Sequence, residues 1–475
     1  MKAVILAGGE GTRLRPLTLT RPKPMLPLGS RPVIDYLVSH LSKTGFDEIF
    51  ITLNYLKEQM MHYLGDGSRF GVKINYCVEP EGLFLGTAGS VKMISHLLDE
   101  TFLVVQGDAY TEMELDKVVS FHREYGGVAT IVLKKVSDPW LYGVAVTDKT
   151  CKVMDFQEKP APDQCASNRI STGIYVLEPE VLDFVSIGCC DFAKDVFPRI
   201  LKGGKKMFGC ECEGFWVDVG SLEGYLQGVG RVLERLEDRV GGMVEAEVKG
   251  KVWIGQNTSV DRTAHILEPS LIEDSVVVGK DVRIGPHALL KVGSKVEGGT
   301  IIERSALFEG VSVGANGVVQ ASVVGEKASL GSDVIVSKSV VGQGSVLGDR
   351  VRLNPSSRVW PNVVVEANTI VEGVLLLPYD KPFYFYTDIG RYTGMLASSI
   401  SSLIEAFEKV EVQSLEFHLY RRDFERWIRD VIQTPELAEK IADLRKEGLK
   451  GEMLRQRLIR AVKEWGRCTM EADCL

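Results

Sequence analysis

"LAGGEGTRLRPLTLTRPKPMLPL", residues 6–28, decides how the first half of the chain folds. It follows the apolar run Ala3–Leu6, which predicts a buried strand, and its glycines suit neither a helix nor a strand. At Gly8, Gly9 and Gly11, backbone N–H groups can approach phosphate oxygens because no Cβ stands in the way. A glycine-rich turn between a strand and a helix therefore predicts an anion-binding loop.

Two cationic side chains accompany this loop. Arg13 comes directly after the glycines and can clamp phosphate oxygens with its planar fork. Lys23 stands between Pro22 and Pro24, which restrict the backbone that carries it. The loop lacks the GK[ST] ending of a Walker A motif and the G-x-G-x-x-G fingerprint, which disfavours dinucleotide binding. The alternative is that residues 6–28 form a tight turn whose charged side chains are solvated.

The periodicity of residues 1–235 predicts an α/β domain. Apolar strands alternate with amphipathic helices, of which "PVIDYLVSHL" is one, at intervals that suit crossover connections. The predicted strands are "KAVIL", "EIFITLNY", "KINYCVEP", "TFLVVQGD" and "ATIVLKKV". Such a mostly parallel sheet binds ligands beyond the carboxyl ends of its strands.

From about residue 245 a different repeat begins. Pairs of an aliphatic residue and glycine recur, with several gaps of six residues and two of eleven, which is about twice six: Ile254-Gly255, Val278-Gly279, Ile284-Gly285, Val292-Gly293, Val313-Gly314, Val324-Gly325, Leu330-Gly331, Val341-Gly342 and Leu347-Gly348. Six residues with one inward aliphatic side chain and a turn-forming glycine make one face of a three-sided coil. We therefore predict a β-helix in residues 236–377. An irregular β-sandwich, with period-two alternation, is the alternative.

After Pro378 the repeats stop, and residues 378–475 predict a small helical domain. An aromatic connector, "YDKPFYFYTDIGRYTG", precedes segments with apolar residues at helical spacing. One helix is predicted to begin with Thr434 as its N-cap and Pro435 at its first position. The candidate site residues in this domain are His418, Arg421, Arg422, Asp423 and Trp427, and the alternative is that they belong to a packed amphipathic helix.

Composition excludes several classes of function. A net charge of −8 argues against a general nucleic-acid binder or an anionic-membrane binder, since both need a basic surface. We expect a cytoplasmic protein, because the N-terminus shows no signal peptide and no apolar span of membrane length follows. The nine cysteines lack metal-ligand spacing and are interpreted as free thiols.

Residues 6–28 resemble the signature of the sugar-1-phosphate nucleotidylyltransferases, LAGGxGTRLxPLT followed by a KPMLPL-type stretch. More motifs follow in that family's order: "VVQGDA", "YGVAV", "FQEKP", "STGIYVLEP" and "FWVDVGS". The resemblance implies a Rossmann-like mixed, mostly parallel sheet in residues 1–235. It further implies a left-handed parallel β-helix in residues 236–377, before the small all-α domain.

The resemblance also implies roles for individual residues. Arg13, Lys23, Asp108 and Asp218 would be catalytic, and the two aspartates would bind Mg²⁺. A strand-end aspartate can instead be a helix cap. The nucleotide would bind at Leu6, Ala7, Gly8, Gly9, Gly11, Thr12, Glu79, Gly86, Thr87 and Ala88. The sugar phosphate would bind at Gly143, Glu158, Lys159 and Thr172.

The implied reaction is attack by a sugar-phosphate oxygen on the α-phosphorus of a nucleoside triphosphate (NTP), with release of pyrophosphate. Because the nucleophile is already ionised near neutral pH, no catalytic base is needed. Alignment and neutralisation of two polyanions suffice.

We expect GTP and mannose 1-phosphate as substrates. Glu79, in "CVEPEGLFLGTAGS", is interpreted as facing the base, and a carboxylate can accept from both guanine N1–H and N2–H₂. The alternatives are that Glu79 is solvated and that the enzyme is a glucose-1-phosphate thymidylyl- or uridylyltransferase. Ala109, Ser171 and Ser221 depart from common family residues, and the stretch between Pro80 and Gly86 is about two residues longer. These departures bear on which sugar is predicted and leave the predicted activity unchanged.

Three further expectations concern the rest of the molecule. The β-helix is expected to form a homo-oligomer. It could instead acetylate an amino sugar with His265 or His287 as base, although these histidines are expected to point outward or to fill turns. The remaining alternative is a non-catalytic regulatory subunit. Such a protein should have lost a residue that binds phosphate or metal, and none of these residues is missing.

Overall fold

The computed structural model describes residues 1–80, 83–186, 188–236, 239–240, 243–244, 250–371, 375–376, 382–397, 400–432 and 434–474. The chain divides into two compact units. The first contains residues 1–12 and 21–220, and the second contains residues 13–20 and 221–474. Within the described residues, no helix combines the length and the apolar character that crossing a membrane requires.

The first unit is built on a mixed nine-stranded sheet. Its strands are Lys2–Leu6, Glu48–Leu53, Lys73–Val78, Phe102–Gln106, Ala129–Lys135, Gly143–Thr147, Val153–Glu158, Arg169–Leu177 and Met207–Glu211. Lys2–Leu6 lies at the centre and pairs in parallel with Glu48–Leu53 and Phe102–Gln106. Arg169–Leu177 joins antiparallel to Phe102–Gln106 and makes the sheet mixed. The predicted Rossmann-like α/β arrangement is confirmed.

Helices cover this sheet and bury its two faces in two separate aliphatic clusters. They are Val33–Lys43, Lys57–Leu64, Gly86–Met93, Leu115–Tyr125 and Phe197–Lys202. Val33–Lys43 is the predicted "PVIDYLVSHL" helix, and its buried apolar positions follow helical periodicity: Val33, Ile34, Leu37, Val38 and Leu41. Because helices cover both faces of the sheet, its central strands are almost fully buried, which explains why their residues are apolar on both faces.

The second unit contains three stacked parallel sheets, which together form the predicted left-handed β-helix. The first sheet has Arg239–Val240, Val252–Ile254, Ser270–Ile272, Ala288–Leu290, Ala306–Leu307, Val323–Val324, Val340–Val341, Arg358–Val359 and Leu375–Leu376. The second has Met243–Val244, Ser259–Val260, Val277–Val278, Lys295–Val296, Ser312–Val313, Ser329–Leu330, Val346–Leu347 and Val364–Val365. The third has His265–Ile266, Arg283–Ile284, Ile301–Glu303, Val318–Gln320, Ile335–Ser337, Arg352–Leu353 and Ile370–Val371.

The glycines of the repeat serve close packing of the coils more than turn formation. A Cβ on Gly342 would lie 2.6 Å from the backbone nitrogen of Pro361 in the next coil. Positive φ angles in this region fall largely on other residues, among them Asn257, Asp281 and Asn316. The predicted repeat is therefore confirmed, whereas its glycines are explained by the approach of one coil to the next.

The aromatic connector forms an antiparallel hairpin, Phe383–Asp388 with Arg391–Ala397. The helices Ile400–Lys409, Val412–Tyr420, Asp423–Trp427, Pro435–Lys446 and Gly451–Cys474 follow, with a π-helix at Ile428–Ile432. The helical region is thus preceded by a strand pair that the spacing did not predict. Thr434 is the N-cap residue and Pro435 begins the helix as predicted, but the Thr434 side chain makes no capping hydrogen bond.

One aliphatic and aromatic cluster runs from the interior of the β-helix into these helices, through residues such as Val371, Phe385 and Phe407. The helices therefore close the end of the β-helix core. The predicted domain boundary at 377/378 lies outside the described residues. The boundary at 235/236 stays a prediction, and the helix Leu222–Leu233 groups with the second unit.

A buried ion pair connects neighbouring coils of the β-helix. Nζ of Lys291 lies 2.6 Å from Oε1 of Glu273 and 3.9 Å from Oε1 of Glu309. The backbone N–H of Val292 donates to the other Glu273 oxygen at 3.1 Å. Burial raises the pKa of Glu273, and the Lys291 ammonium opposes this effect.

We expect Lys291→Met to lower the free energy of unfolding by about 3 kcal/mol, because it leaves the Glu273 carboxylate buried without its cation. The double variant Glu273→Leu/Lys291→Met should stay within about 1 kcal/mol of the wild type, since no buried charge is then left unpaired. Urea unfolding of the three chains measures both values. A double variant as unstable as the single one would contradict the explanation.

Candidate active site

The first feature of the site is a lysine held between two aspartates. Nζ of Lys23 lies 2.5 Å from Oδ2 of Asp108 and 3.2 Å from Oδ1 of Asp218. The Lys23 side chain is only 6% exposed, whereas those of Asp108 and Asp218 are 30% and 26% exposed. The carboxylates therefore remain open to an incoming ligand while the ammonium group is shielded. Three predicted catalytic residues, far apart in sequence, meet here.

Local structure explains why these residues meet. Asp108 comes two residues after the strand Phe102–Gln106, at the carboxyl end where parallel sheets bind ligands. Asp218 ends the short strand Trp216–Asp218, which pairs antiparallel with Ala109–Thr111. The N–H of Val219 donates to the carbonyl oxygen of Asp108 at 3.0 Å and fixes the two backbones together.

Lys23 is positioned by a short turn between two prolines. It begins the 3₁₀ turn Lys23–Met25, with Pro22 extended before it and Pro24 at the next position. The N–H groups of Met25 and Leu26 donate to the carbonyl oxygens of Pro22 and Lys23. Because both flanking φ angles are fixed by proline rings, the lysine stem is directed by a stiff backbone.

The glycine loop leaves the end of the central strand. The N–H of Ala7 donates to the carbonyl oxygen of Thr52 at 3.1 Å, and Leu6 accepts from Gly107 at 2.8 Å. Gly9 has no other atom within 4 Å of the position a Cβ would take, so its backbone stays accessible. Gly11 has a φ of 63°, which glycine adopts without strain.

Glu79 lies beneath this loop and is buried, which excludes the solvated alternative. Its Oε1 would lie 3.2 Å from a Cβ on Gly8 and accepts a hydrogen bond from the Ser90 hydroxyl. Its Oε2 accepts from the Asn54 side chain at 3.0 Å. Both carboxylate oxygens are thus engaged by the protein. Residues 81 and 82, in the stretch between Pro80 and Gly86 that is about two residues longer than is usual in the family, lie outside the described residues.

The predicted nucleotide-binding residues Gly86, Thr87 and Ala88 open the helix Gly86–Met93. The Thr87 hydroxyl donates to Oδ2 of Asp191 at 2.7 Å, and the N–H of Ala88 donates to the carbonyl oxygen of Cys190 at 2.9 Å. A second segment, residues 190–194, therefore supports the start of this helix.

The predicted sugar-phosphate residues lie on neighbouring strands of the same unit. Gly143 and Glu158 are direct partners, and a Cβ on Gly143 would lie 2.9 Å from Oε2 of Glu158. Lys159 is exposed directly after Glu158 and has a φ of 45°. Thr172 is buried, and its hydroxyl donates to the carbonyl oxygen of Val132 at 3.0 Å. The Thr172 side chain thus supports the strand.

The sequence motifs missed Asp191 and Lys194. Burial raises the pKa of Glu158. Of the charged neighbours, Lys159 and Lys194 lower it, whereas Asp191 raises it. Asp191 also caps the π-helix Phe192–Val196 by accepting from Ala193 and Lys194. The available signal was an Asp directly before a segment whose apolar residues, Phe192 and Val196, have helical spacing, which is typical of an N-cap.

Arg13 and Thr12 lie in the 3₁₀ turn Thr12–Leu14 and are exposed. Thr12 ends the first unit's glycine loop, whereas Arg13 begins the segment Arg13–Thr20, which groups with the second unit. Lys23, Asp108, Asp218, Gly143 and Glu158 all belong to the first unit.

The contacts of the histidines in the second unit bear on whether they have a chemical role. His265 is exposed on a strand, and Nε2 of His287, in a turn, lies 3.4 Å from Oε1 of Glu234. His418 is buried: Nδ1 lies 2.9 Å from Oδ2 of Asp423 and Nε2 accepts from the N–H of Tyr386 at 2.7 Å. Both His418 nitrogens are used by the fold, which favours the packing alternative. The cysteines whose state is described are free thiols.

Two family models match the chain. The nucleotidyl transferase model matches residues 2–235, and a model for the GMPPB C-terminal domain matches residues 266–381. Neither model covers the helices from residue 400 onward.

Curated relatives match much of the same region. The UTP–glucose-1-phosphate uridylyltransferase of Synechocystis sp. is 38% identical over 65% of this chain and 85% of that protein. The probable mannose-1-phosphate guanylyltransferase 1 of Oryza sativa subsp. japonica is 35% identical over 66% of this chain and 82% of its own. The mannose-1-phosphate guanyltransferase of Kluyveromyces lactis is 39% identical over 56% of this chain and 73% of that protein. The chain therefore belongs to the nucleotidyl transferase family, within its sugar-1-phosphate nucleotidylyltransferase group, as the sequence motifs predicted.

Proposed function

We propose that the chain transfers a guanylyl group from GTP to mannose 1-phosphate, giving GDP-mannose and pyrophosphate. The observation that carries the proposal is the meeting of Lys23 with Asp108 and Asp218 at 2.5 Å and 3.2 Å beside the glycine loop of the same unit. An oxygen of the sugar phosphate forms a bond to the α-phosphorus of GTP. The bond from that phosphorus to the bridging oxygen breaks, and its electron pair leaves with pyrophosphate.

The protein's task in this reaction is to align two polyanions and offset their repulsion. The accessible backbone of Gly9 and the neighbouring glycines would bind the triphosphate, with Arg13 and Lys23 supplying positive charge. Lys159 and Lys194 would hold the sugar phosphate, while Glu158 accepts hydrogen bonds from sugar hydroxyls. Each of these groups acts by charge or orientation, so no side chain has to transfer a proton.

Asp108 and Asp218 fit a divalent cation, which we propose to be Mg²⁺. Their carboxylates reach the same ammonium group, so they converge on one position, and Mg²⁺ usually takes one or two carboxylates plus substrate phosphates. Within the part of the chain that the structure describes, no cluster of three or more potential metal-ligating side chains occurs. When bound, the cation would neutralise charge that develops on the phosphates.

The substrate pair is supported by two of the three relatives above, which carry the name of a mannose-1-phosphate guanylyltransferase or guanyltransferase, and by the match to the GMPPB C-terminal domain. The uridylyltransferase relative supports UTP and glucose 1-phosphate as the alternative. Homo-oligomerisation through the β-helix and a cytoplasmic location stay predictions.

The function is tested by initial rates of pyrophosphate release, with each of GTP, UTP, TTP and ATP paired with mannose or glucose 1-phosphate in the presence of Mg²⁺. We expect the highest kcat/KM with GTP and mannose 1-phosphate. A maximum with UTP and glucose 1-phosphate would replace the substrate pair but keep the reaction. Failure of every pair to release pyrophosphate would contradict the reaction itself.

The base-reading role of Glu79 has its own test. Because Ser90 and Asn54 already engage both carboxylate oxygens, we expect Glu79 to support nucleotide binding through Gly8 and the Gly86–Met93 helix. Glu79→Gln should then lower kcat/KM by about tenfold for every NTP, the scale of one lost charge-assisted hydrogen bond. Ser90→Ala serves as the comparison and should give a smaller, equally non-selective loss. A loss confined to GTP would instead show that Glu79 reads the base.

A further inference from the structure

The strand that carries one of the two proposed metal ligands is paired with another strand on one side only. Trp216–Asp218 and Ala109–Thr111 form a two-stranded sheet, with three residues in each strand. Phe215 and Val219 make backbone hydrogen bonds to the residues that flank Ala109–Thr111. Because backbone groups alternate in direction along an antiparallel pair, the carbonyl group of Trp216 points away from the partner strand. The outer edge of this strand therefore has to be held by a group from elsewhere.

The ammonium group of Lys134 binds this outer edge. Its Nζ donates a hydrogen bond to the carbonyl oxygen of Trp216 at 3.0 Å. The same nitrogen lies 5.6 Å from the centroid of the Phe215 ring and 5.9 Å from that of the Trp216 ring. A charge-assisted hydrogen bond and cation–π attraction to two rings thus hold Lys134 against the strand that ends at Asp218.

The position of Lys134 in the large sheet explains how it reaches this strand. It lies on Ala129–Lys135, which is antiparallel to Arg169–Leu177, as is Phe102–Gln106. Ala129–Lys135 and Phe102–Gln106 therefore run in the same direction. Lys134 is the last residue but one of its strand, so it lies at the edge of the sheet where Asp108 follows Phe102–Gln106. The lysine thus connects the nine-stranded sheet to the two-stranded sheet at the proposed metal site.

The surroundings of Lys134 differ from those of the lysine that follows it. Lys134 is half-buried, and burial lowers its pKa. Among the described residues, its ammonium group makes one hydrogen bond, to the Trp216 carbonyl group. Lys135 lies on the opposite face of the strand, is exposed, and pairs with Glu211 at 2.8 Å. Partial burial of a cation is unfavourable by itself, so the contacts with the strand must offset that cost.

A shift of the Trp216 carbonyl group would reach Asp218 because only Val217 lies between them. The Trp216 side chain is 7% exposed, and its ring centroid lies 6.0 Å from that of Tyr142. Since the buried ring cannot move without disturbing its neighbours, it restricts how the strand can adjust. The three-residue strand pair has few hydrogen bonds of its own to restore the position of Asp218.

We propose that Lys134 is a positioning residue for nucleotidyl transfer, acting through the Trp216 carbonyl group on the placement of Asp218. The proposal rests on the proposed function, because it requires Asp218 to hold the divalent cation together with Asp108. Groups that orient a metal ligand typically contribute about ten- to a hundredfold to metal affinity or activity. A displacement of about 1 Å can likewise lower a rate by about a hundredfold.

The test is a double-mutant cycle in the full-length chain. Lys134→Met keeps the aliphatic stem, removes the donor, and should lower kcat by about ten- to a hundredfold. The Mg²⁺ concentration for half-maximal rate should rise by about tenfold. In an Asp218→Asn background, Lys134→Met should change both values by less than about twofold, since the carboxylate that it positions is gone.

Two further variants make the result specific. Lys134→Arg keeps a charged donor that can also stack on the two rings, and it should recover most of the lost rate. Lys135→Met removes the neighbouring exposed lysine and is the matched control, which should leave kcat and the Mg²⁺ requirement unchanged.

Thermal unfolding of every variant separates positioning from stability. Wild-type kcat in Lys134→Met overturns the proposal. It is also overturned by a loss of kcat that is equal in both backgrounds, or by one that follows the loss of thermal stability with no change in the Mg²⁺ requirement.

A binding measurement distinguishes this proposal from the proposed function. If the wild-type chain releases no pyrophosphate with any substrate pair, the proposed function fails. Binding of Mn²⁺ to the four chains of the cycle, measured by electron paramagnetic resonance with a GTP analogue whose α–β bridge cannot be cleaved, then tests positioning alone. Weaker Mn²⁺ binding by Lys134→Met that disappears in the Asp218→Asn background supports the proposal. Unchanged binding, additive losses, or no Mn²⁺ binding by the wild type overturn it.

Discussion

Replacing Lys23 by methionine should lower kcat/KM for pyrophosphate release by about a thousandfold, the upper range for removing one preorganised charged group from a transferring phosphoryl site. Methionine keeps most of the aliphatic stem but removes the ammonium group that lies 2.5 Å from Asp108 and 3.2 Å from Asp218. The two carboxylates are then left facing each other and the incoming triphosphate without the shielded cation.

Two comparison variants make this result specific. Lys23→Arg keeps the charge, but its planar fork has a different shape, and the stiff Pro22–Pro24 backbone leaves it little room to adjust. We expect it to recover less than about a tenth of the lost rate. Lys73→Met removes an exposed lysine that pairs with Glu48 in the same unit and should leave kcat/KM unchanged. A Lys23→Met chain with near-normal kcat/KM would remove Lys23 from the site.

Asp108→Asn should lower kcat by at least about a hundredfold, the scale expected when a carboxylate that holds a catalytic metal ion is lost. Asparagine has the same shape but no negative charge, so the oxygen donor is weakened without a change in packing. The concentration of Mg²⁺ needed for half-maximal rate should rise in parallel.

Asp116→Asn, an exposed substitution on the helix Leu115–Tyr125, is the control for Asp108 and should behave as the wild type. Thermal unfolding verifies that both variants are folded. An Asp108→Asn chain with unaltered kcat and unaltered Mg²⁺ dependence would exclude Asp108 as a metal ligand.

The β-helix could be predicted from sequence because each coil repeats the same local pattern. Val260 pairs with Val278, three six-residue repeats further along, and aliphatic residues of later coils pair at the nearly equal spacing of 17 residues, as Val313 does with Leu330. The hairpin Phe383–Asp388 with Arg391–Ala397 could not be predicted in this way. Its aromatic residues lie on both faces, with Phe383 and Phe385 buried and Tyr384 exposed, so no clear alternation of apolar and polar residues marks the strands.

In the candidate site, the sequence predicted which residues take part but not the strand pairing that brings them together. The motifs identified Asp108 and Asp218, but the strands that join them, Ala109–Thr111 and Trp216–Asp218, have three residues each and are too short for a periodic signal. Arg13 was placed with the glycine loop because it is adjacent in sequence. Its segment groups with the second unit through contacts to Arg358 and Glu436, hundreds of residues away, which no local pattern encodes.

The most direct test of the proposed site is a crystal structure of the chain with Mn²⁺ and a GTP analogue whose α–β bridge cannot be cleaved, recorded with anomalous scattering. We predict one Mn²⁺ peak bound by the carboxylates of Asp108 and Asp218, with the α-phosphate beside Lys23 and the triphosphate along the backbone of Gly8–Gly11. A metal ion bound to other carboxylates, or a triphosphate lying away from Lys23, would contradict it.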